Sequence, residues 1–277
     1  MAKIKKGDKV GRISHGEDII FEVKKITKQK EGKKIAILKG ITERIEVDSP
    51  LEDLMLAEKE NIERSLRNLD FKFDKKIKQE KNKLETRKIE QYITGKILHL
   101  DGDRRYSEKS LRYYQKMGLT AIVKNIPEYK QPRVVYDLLS YYKPDILVVT
   151  GHDGMIRKEK GYNDIYNYRN SKYFIDTVKE ARRYEQEQGA EIVIFAGACQ
   201  SYFEALIMAG ANFASSPARI LIDFLDPLVI AEKVATTDYL KYITIRDIEN
   251  ELRDGKRGVG GIGASRKKTC NINVIKM

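Results

Sequence analysis

The sequence is poor in cysteine and histidine and has no long apolar run. Only two of its 277 residues are cysteine and three are histidine, and no stretch approaches the roughly 18 apolar residues of a membrane-spanning helix. So few cysteines exclude a disulfide scaffold, and their spacing with the histidines matches no zinc site. The first residues lack the apolar core of a secretory signal. We therefore predict a protein of a reducing compartment, with no membrane insertion, metal site or cofactor.

The chain is strongly basic. It has 53 Lys and Arg residues against 41 Asp and Glu residues, a formal net charge of +12. Such a surface favours acidic partners, including nucleic acid. The aromatic residues that accompany basic ones in nucleic-acid recognition motifs are sparse, so we do not predict nucleic acid as the partner. A non-catalytic basic protein that binds nucleic acid or a coat assembly is kept as the alternative function.

Composition divides the chain into three stretches. Residues 1–52 contain short β-branched runs separated by glycine turns, which predict a small five-stranded β-barrel. Residues 53–90 are densely charged with few helix breakers, which predicts a charged helical or partly disordered connector. Residues 91–277 alternate apolar runs with amphipathic stretches, which is typical of an α/β domain with a mostly parallel sheet flanked by helices.

Two residues with reactive side chains follow predicted strands of this α/β domain. The predicted strands cover residues 96–100, 120–123, 146–150 and 192–196, and the predicted helices cover residues 107–117, 134–142 and 171–188. His152 follows the third strand and Cys199 follows the fourth. Because ligands and catalytic groups gather beyond the carboxyl ends of parallel strands, we expect these two side chains to converge.

A cysteine and a histidine at one sheet edge have the chemistry of a thiol hydrolase. The thiolate is the nucleophile, and a nearby imidazole activates it or protonates the leaving amine. No histidine follows Cys199, which disfavours papain-like and glutamine-amidotransferase-like arrangements, and Ala205 stands where a cysteine phosphatase needs arginine. A small-substrate amidase remains an alternative, as does a purely structural role for a buried cysteine.

The remaining pattern resembles the caspase-like cysteine peptidases. In that class an apolar strand ends in a histidine and glycine, and another ends in Ala-Cys about 50 residues later. The resemblance covers about residues 95–230 and implies a Cys/His dyad with backbone N–H groups that hold the oxyanion. Here Asp153 stands between His152 and Gly154. The candidates for these donors are therefore Asp153, Gly154 and Cys199.

A second resemblance extends over nearly the whole chain. The small barrel, the charged connector, the block TGHDG and the block AGACQSYFEAL together are similar to the YabG family of sporulation-specific proteases. This resemblance implies cleavage after basic residues by His152 and Cys199, self-processing, and maturation of spore coat and cortex proteins. It implies the mother-cell cytoplasm and the spore coat as the location, with coat and cortex proteins as partners. A homo-oligomer is left open.

Cleavage after arginine or lysine requires an acidic residue in the first specificity pocket, because a buried guanidinium without a partner is costly. In caspase-like folds the end of the first strand shapes this pocket. The candidates are Asp101 and Asp103, followed by Asp223 and Asp226. Small residues at 210–217, including Ser215, resemble the wall of the pocket. Asp101 and Asp103 are also typical turn or helix N-cap residues, and both interpretations stay open.

Other residues that attract attention have simpler explanations. His99 lies within a predicted strand, which indicates a packed or hydrogen-bonded histidine, and Cys270 is predicted to be an incidental thiol. The basic, glycine-rich stretch at 255–263 lacks the Gly-Lys-Ser/Thr of a phosphate loop and is predicted to be a flexible loop. This stretch and the connector at 57–90 are the candidate self-cleavage regions.

Overall fold

A computed structural model describes five ranges of the chain: residues 3–28, 33–86, 94–156, 161–238 and 241–265. Within them the chain forms two β-sheets and a set of helices. The predicted α/β class is confirmed, and the larger sheet is mostly parallel as expected. No helix in the described ranges has both the length and the apolar character needed to cross a membrane.

The first sheet is antiparallel and lies at the N-terminus. Its strands are β1 (Lys9–Arg12), β2 (Phe21–Lys28), β3 (Lys34–Gly40), β4 (Glu46–Pro50) and β5 (Leu54–Leu56). The strand order is β4-β3-β2-β1-β5. The sheet is open: in the part of the chain that the structure describes, β4 and β5 are its edges and do not pair with each other. Five strands are therefore present, but the predicted closure into a barrel is not.

The chain that leads out of the second sheet contacts the first sheet at the edge where β4 begins. Ile45 forms a parallel bridge with Asp153, and the Glu46 N–H donates to the Asp153 carbonyl at 2.9 Å. The end of β4 leads through the single 3-10 turn Leu51–Asp53 into β5, which pairs with β1. The start of the β4 edge is thus bound to the turn that follows β8 of the second sheet.

A single long helix, α1 (Lys59–Thr86), follows the first sheet. It lies where the charged connector is predicted, and it is continuous over these residues. Its buried apolar side chains Leu69, Phe73 and Ile77 are spaced by four residues, which places them on one stripe of the helix. This stripe packs into the core of the second sheet. The connector is therefore an integral layer of the fold.

The second sheet has six strands, five of them parallel. The strands are β6 (Ile97–Asp101), β7 (Ala121–Asn125), β8 (Ile146–Thr150), β9 (Val193–Ala196), β10 (Phe213–Ser215) and β11 (Val259–Gly261). The order is β7-β6-β8-β9-β10-β11, and β11 alone runs antiparallel to its neighbour in this sheet. The helices are α2 (Arg104–Lys116), α3 (Gln131–Tyr142), α4 (Ser171–Gln188), α5 (Phe203–Met208) and α6 (Asp226–Thr236).

Helices cover both faces of the second sheet. Helices α1, α2 and α6 contribute to the core on one face, and α3, α4 and α5 to the core on the other. The strand β8 is apolar along its whole length because both of its faces are covered. Ile146 and Val148 face the core formed with α1, α2 and α6, and Leu147 and Val149 face the core formed with α3, α4 and α5. The carboxyl end of β8 is consequently held rigidly from both sides.

The glycine-rich stretch at 255–263 differs from its prediction as a flexible loop. It contains the 3-10 turn Gly255–Arg257 and then strand β11. A Cβ atom at Gly261 would lie 2.2 Å from the Asn212 carbonyl oxygen. The glycines therefore permit a close approach of β11 to β10, which the composition alone did not reveal.

The role of α1 as a core layer predicts a large stability difference between two nearby phenylalanines. Phe73 is fully buried and Phe71 is 70% exposed on the same helix. We expect Phe73→Ala to lower the free energy of unfolding by about 3–5 kcal/mol, because it leaves a cavity in the core. The matched variant Phe71→Ala should change it by less than about 0.5 kcal/mol. Chemical denaturation of both variants measures the difference, and equal effects would contradict the placement of α1.

Candidate active site

His152 lies two residues beyond β8, with its side chain fully buried. Its backbone N–H donates to Glu128 Oε1 at 2.8 Å, and its carbonyl accepts from Asn170 Nδ2 at 2.8 Å. The ring Nε2 lies 3.3 Å from the Gly40 carbonyl oxygen of the first sheet, whereas Nδ1 has no partner within the described ranges. Burial lowers the pKa of His152 well below its ordinary value, so the imidazole is neutral in this arrangement.

Glu128 fixes the backbone that carries His152. Its carboxyl group is buried next to Gly102 and Gly151, at the ends of β6 and β8. A Cβ atom at Gly102 would lie 2.2 Å from Glu128 Oε1, and one at Gly151 would lie 2.4 Å from the same oxygen. Both glycines are therefore required by the close approach of this side chain. Nothing in the sequence around Glu128 indicated this role.

Cys199 lies on a tight turn after β9. Gly197 and Gln200 both have positive φ, at 111° and 55°, and a Cβ atom at Gly197 would lie 2.7 Å from Ser215 Oγ. The Cys199 Sγ accepts the Ile222 N–H at 3.4 Å. Burial is the largest effect on the thiol and raises its pKa to about 12. The sulfur is consequently a protonated thiol in this arrangement.

Asp153 joins the histidine turn to the cysteine turn. Its fully buried carboxylate accepts hydrogen bonds from Ser201 Oγ at 2.8 Å, from Ser171 Oγ, and from the Asn170 N–H at 2.7 Å. Ser201 in turn accepts the Ala198 N–H at 2.9 Å. Burial raises the pKa of Asp153 to about 6 despite these donors. The departure from a His-Gly pattern thus introduces the side chain that connects the turn of His152 to the turn of Cys199.

The first sheet covers both reactive residues. His152 faces the Gly40 carbonyl at the end of β3, and Cys199 belongs to the apolar core of the first sheet. That core consists of Val10, Phe21, Val23, Ala36, Leu38, Ile45, Val47 and Leu54, together with Cys199 and Ile222. His152 and Cys199 therefore follow adjacent parallel strands at one edge of the second sheet, and both side chains are buried there. Their convergence into one reactive pair stays a prediction.

Asp101 ends β6 and holds a guanidinium group. Its Oδ2 accepts from Arg44 Nη2 and from Thr150 Oγ1, and Arg44 Nη2 also donates to Thr150 Oγ1 at 3.0 Å. Both charged side chains are almost completely buried. The Arg44 guanidinium carbon lies 5.0 Å from the centre of the Tyr106 ring. Thr150 Oγ1 also lies 2.7 Å from His99 Nε2, so His99 has the predicted structural role.

The other acidic candidates have different surroundings. Asp103 caps α2 by accepting the Arg105 N–H at 2.9 Å, and it pairs with Lys39 at 2.6 Å. Its capping explains why α2 begins three residues before the predicted start. Asp223 lines a cavity of about 160 Å³ together with Glu43 and Arg253.

Two further candidate pocket residues are buried. Asp226 lies at the start of α6, where its carboxylate accepts the Arg253 N–H at 3.1 Å; burial, with a contribution from Asp223, raises its pKa to about 7. Ser215 lies at the end of β10, and its Oγ has no partner within the described ranges. Cys270 lies outside the described residues.

The three predicted oxyanion donors are not equivalent. The Gly154 N–H donates to the Asp153 carboxylate at 2.9 Å and is therefore already used. The Asp153 N–H donates to the Arg44 carbonyl at 3.3 Å. The Cys199 N–H has no acceptor in the part of the chain that the structure describes. The Cys199 N–H is thus the donor without an acceptor, whereas the Asp153 N–H already binds a carbonyl oxygen and the Gly154 N–H already binds a carboxylate.

Comparison with known proteins assigns the chain to a family. The family YabG peptidase U57 matches residues 5–271. The sporulation-specific protease YabG of Bacillus subtilis (strain 168) is 37% identical over 273 residues, which cover 92% of this chain and 93% of that protein. The match includes both sheets and the turns that carry His152 and Cys199. The chain therefore belongs to the YabG peptidase family.

Proposed function

We propose that this sporulation-specific protease is a cysteine endopeptidase with a caspase-like α/β domain, in which Cys199 is the nucleophile and His152 its acid/base partner. One observation carries the proposal: these side chains lie beyond the carboxyl ends of the adjacent parallel strands β9 and β8, and the Asp153 carboxylate connects their turns. The order of the six strands, with an antiparallel last strand, supports the caspase-like assignment.

The mechanism follows from the groups at this edge. His152 first accepts the proton of the Cys199 thiol. The resulting thiolate adds to the scissile carbonyl carbon, and the N–H groups of Cys199 and Asp153 bind the oxyanion that forms. His152 donates a proton to the leaving amine as the C–N bond breaks, which leaves a thioester. Water then adds to the thioester, with His152 accepting its proton. The C–S bond breaks, and the carboxylic acid product is released.

Specificity for arginine or lysine is proposed to come from Asp101. This carboxylate is buried at the end of β6, next to β8, and Thr150 and Tyr106 contribute the remaining wall. The guanidinium of Arg44 lies against Asp101 and the Tyr106 ring, which supports the proposal that these groups bind a planar guanidinium. Asp103 is less suited because it is already used as a helix cap and pairs with Lys39.

The biological substrates are proposed to be spore coat and cortex proteins. The Bacillus subtilis relative is named as a sporulation-specific protease, and the net charge of +12 favours acidic surfaces. On this proposal the enzyme acts in the mother-cell cytoplasm and associates with the coat, and the first sheet is a docking module. Self-association into a homo-oligomer is compatible with this role.

The nucleophile assignment predicts the outcome of a peptide-cleavage assay. We expect wild-type protein to cleave peptides with Arg or Lys before the scissile bond, and Cys199→Ala to lose at least about 1,000-fold in kcat/KM. The matched variant Cys270→Ser should retain wild-type activity. Cleavage by Cys199→Ala at the wild-type rate would contradict the mechanism.

The same proteins distinguish the alternative function. A non-catalytic binding protein would cleave none of the peptides, and it would bind nucleic acid with a steep salt dependence that Cys199→Ala leaves unchanged.

The pocket assignment predicts a change in substrate preference for one aspartate and not for its neighbour. Asp101→Asn should reduce the ratio of kcat/KM for arginine over citrulline peptides by about 100-fold, since a buried guanidinium loses its counter-charge. Asp103→Asn should leave this ratio within about threefold of wild type, because that carboxylate caps α2. A loss of folded protein lowers kcat/KM for both peptides equally, so the ratio reports specificity and not stability. An unchanged ratio in Asp101→Asn would exclude Asp101 as the acid of the specificity pocket.

Self-processing is proposed at exposed basic residues. Lys256 and Arg257 lie exposed in the 3-10 turn before β11, and α1 carries many exposed lysines. We expect intact-mass measurement of stored wild-type protein to show fragments that end in Arg or Lys and that are absent from Cys199→Ala. A single intact mass for both proteins would contradict self-processing.

A further inference from the structure

One arginine from a connection of the first sheet is buried at an edge of the second sheet. Arg44 belongs to the connection between β3 and β4, yet its guanidinium contacts Asp101 and Thr150, which are 57 and 106 residues away in the sequence. The side chain is 2% exposed and the Asp101 side chain is completely buried. Tyr106 covers the guanidinium from one side. The Arg44 side chain is thus enclosed by residues of the second sheet and of α2.

The backbone around Arg44 is bound in an extended manner. The Asp153 N–H donates to the Arg44 carbonyl at 3.3 Å, and the Glu46 N–H donates to the Asp153 carbonyl at 2.9 Å. Ile45 and Asp153 form a parallel bridge. Main-chain pairing with a side chain in a pocket is a recurring mode of peptide recognition. The Arg44 carbonyl oxygen therefore accepts the hydrogen bond of the Asp153 N–H, which the proposed mechanism assigns to the oxyanion.

The same segment restrains the catalytic groups. The Gly40 carbonyl, at the start of the connection, is 3.3 Å from His152 Nε2. A Cβ atom at Gly154 would lie 2.3 Å from the Glu46 carbonyl oxygen, so the close approach of the two backbones requires this glycine. Cys199 Sγ is turned to the Ile222 N–H. Neither reactive side chain is available to an external peptide in this form.

Stability alone does not account for an arginine at this position. Burying an ion pair removes both charges from water, and apolar residues of similar volume are often at least as stabilising. Arg44 Nε also has no partner within the described ranges, so the guanidinium is only partly satisfied. A binding role explains the arrangement better, because such a pocket would have to accept arginine from outside.

We propose that residues 40–46 are an internal inhibitor, bound as a substrate segment would be, with Arg44 in the arginine pocket. This inference rests on the proposed function. The closed form is then inactive, and cleavage comes from the fraction of molecules in which the first sheet has moved away. A substrate arginine competes with Arg44 for Asp101. The neutral thiol and imidazole described above are consistent with such a resting form.

The test compares variants of the full-length chain. Arg44→Ala should raise kcat/KM for a short arginine peptide at least about tenfold, because the open fraction is no longer limited by the internal occupant. Arg169→Ala is the matched control: Arg169 joins Glu46 and Asp48 of the first sheet but lies outside the pocket. An equal rise in both variants would overturn the proposal in favour of general loosening of the interface. Arg44→Lys keeps a cation and should give a smaller rise in kcat/KM. This variant replaces Arg44→Ala in the test if Arg44→Ala does not fold.

A second readout does not depend on catalysis. In a Cys270→Ser background, iodoacetamide should alkylate Cys199 faster in Arg44→Ala than in wild type. Agmatine, a small guanidinium compound, should raise the Tm of Arg44→Ala but not of wild type. Adding Asp101→Asn to the Arg44→Ala variant should abolish this rise in Tm. These results without any peptide cleavage would show that Arg44 occupies a guanidinium pocket and covers Cys199, but they would refute the proposed peptidase mechanism. Equal alkylation and equal agmatine response in wild type and Arg44→Ala would overturn the inhibitor, whatever the cleavage activity.

Discussion

The structure of the edge that carries His152 and Cys199 depends on Asp153, the residue between His152 and Gly154. Its backbone pairs with Arg44 and Glu46 of the first sheet, and its carboxylate binds Ser171 at the start of α4 and Ser201 beyond the cysteine. Four parts of the chain thus meet at one buried residue. A buried carboxylate is costly unless its oxygens accept hydrogen bonds, so each of these donors must be in place for the fold to be stable.

This arrangement also explains why the reactive pair is closed. The pairing of residues 44–46 with Asp153 brings the apolar face of the first sheet over Cys199 and the end of β3 over His152. Removal of water favours the neutral forms of both groups, which changes the pKa of the thiol and of the imidazole in opposite directions. A reactive thiolate therefore requires a different relation between the two sheets. The protonation of both groups and the position of the first sheet are thus physically coupled.

The buried polar groups at this edge differ in how completely they are satisfied. Glu128 fills the space left by two glycines and accepts the His152 N–H, and His99 uses both ring nitrogens, with Tyr114 and Thr150 as partners. In contrast, His152 Nδ1 and Arg44 Nε lack partners within the described ranges. His152 Nδ1 and Arg44 Nε lie where the proposed catalytic and inhibitor contacts occur. Arg12 Nε and Arg169 Nε, which belong to neither set of contacts, also lack hydrogen-bond partners within the described ranges, so an unsatisfied atom does not by itself mark the site.

The sequence by itself determined the α/β class, the four strands from residue 97 to 196, and the placement of His152 and Cys199 at strand ends, because buried parallel strands are apolar throughout and end at glycine turns. It also indicated the helix at residues 59–86, through its lack of helix breakers. Tertiary structure decided what local patterns do not encode. The first sheet is open and its β4 edge begins with a bridge beside residue 153, and β11 forms because glycines allow it to approach β10. Arg44, Glu128 and Thr150 reach the edge that carries His152 from distant parts of the chain, and only packing brings such side chains together.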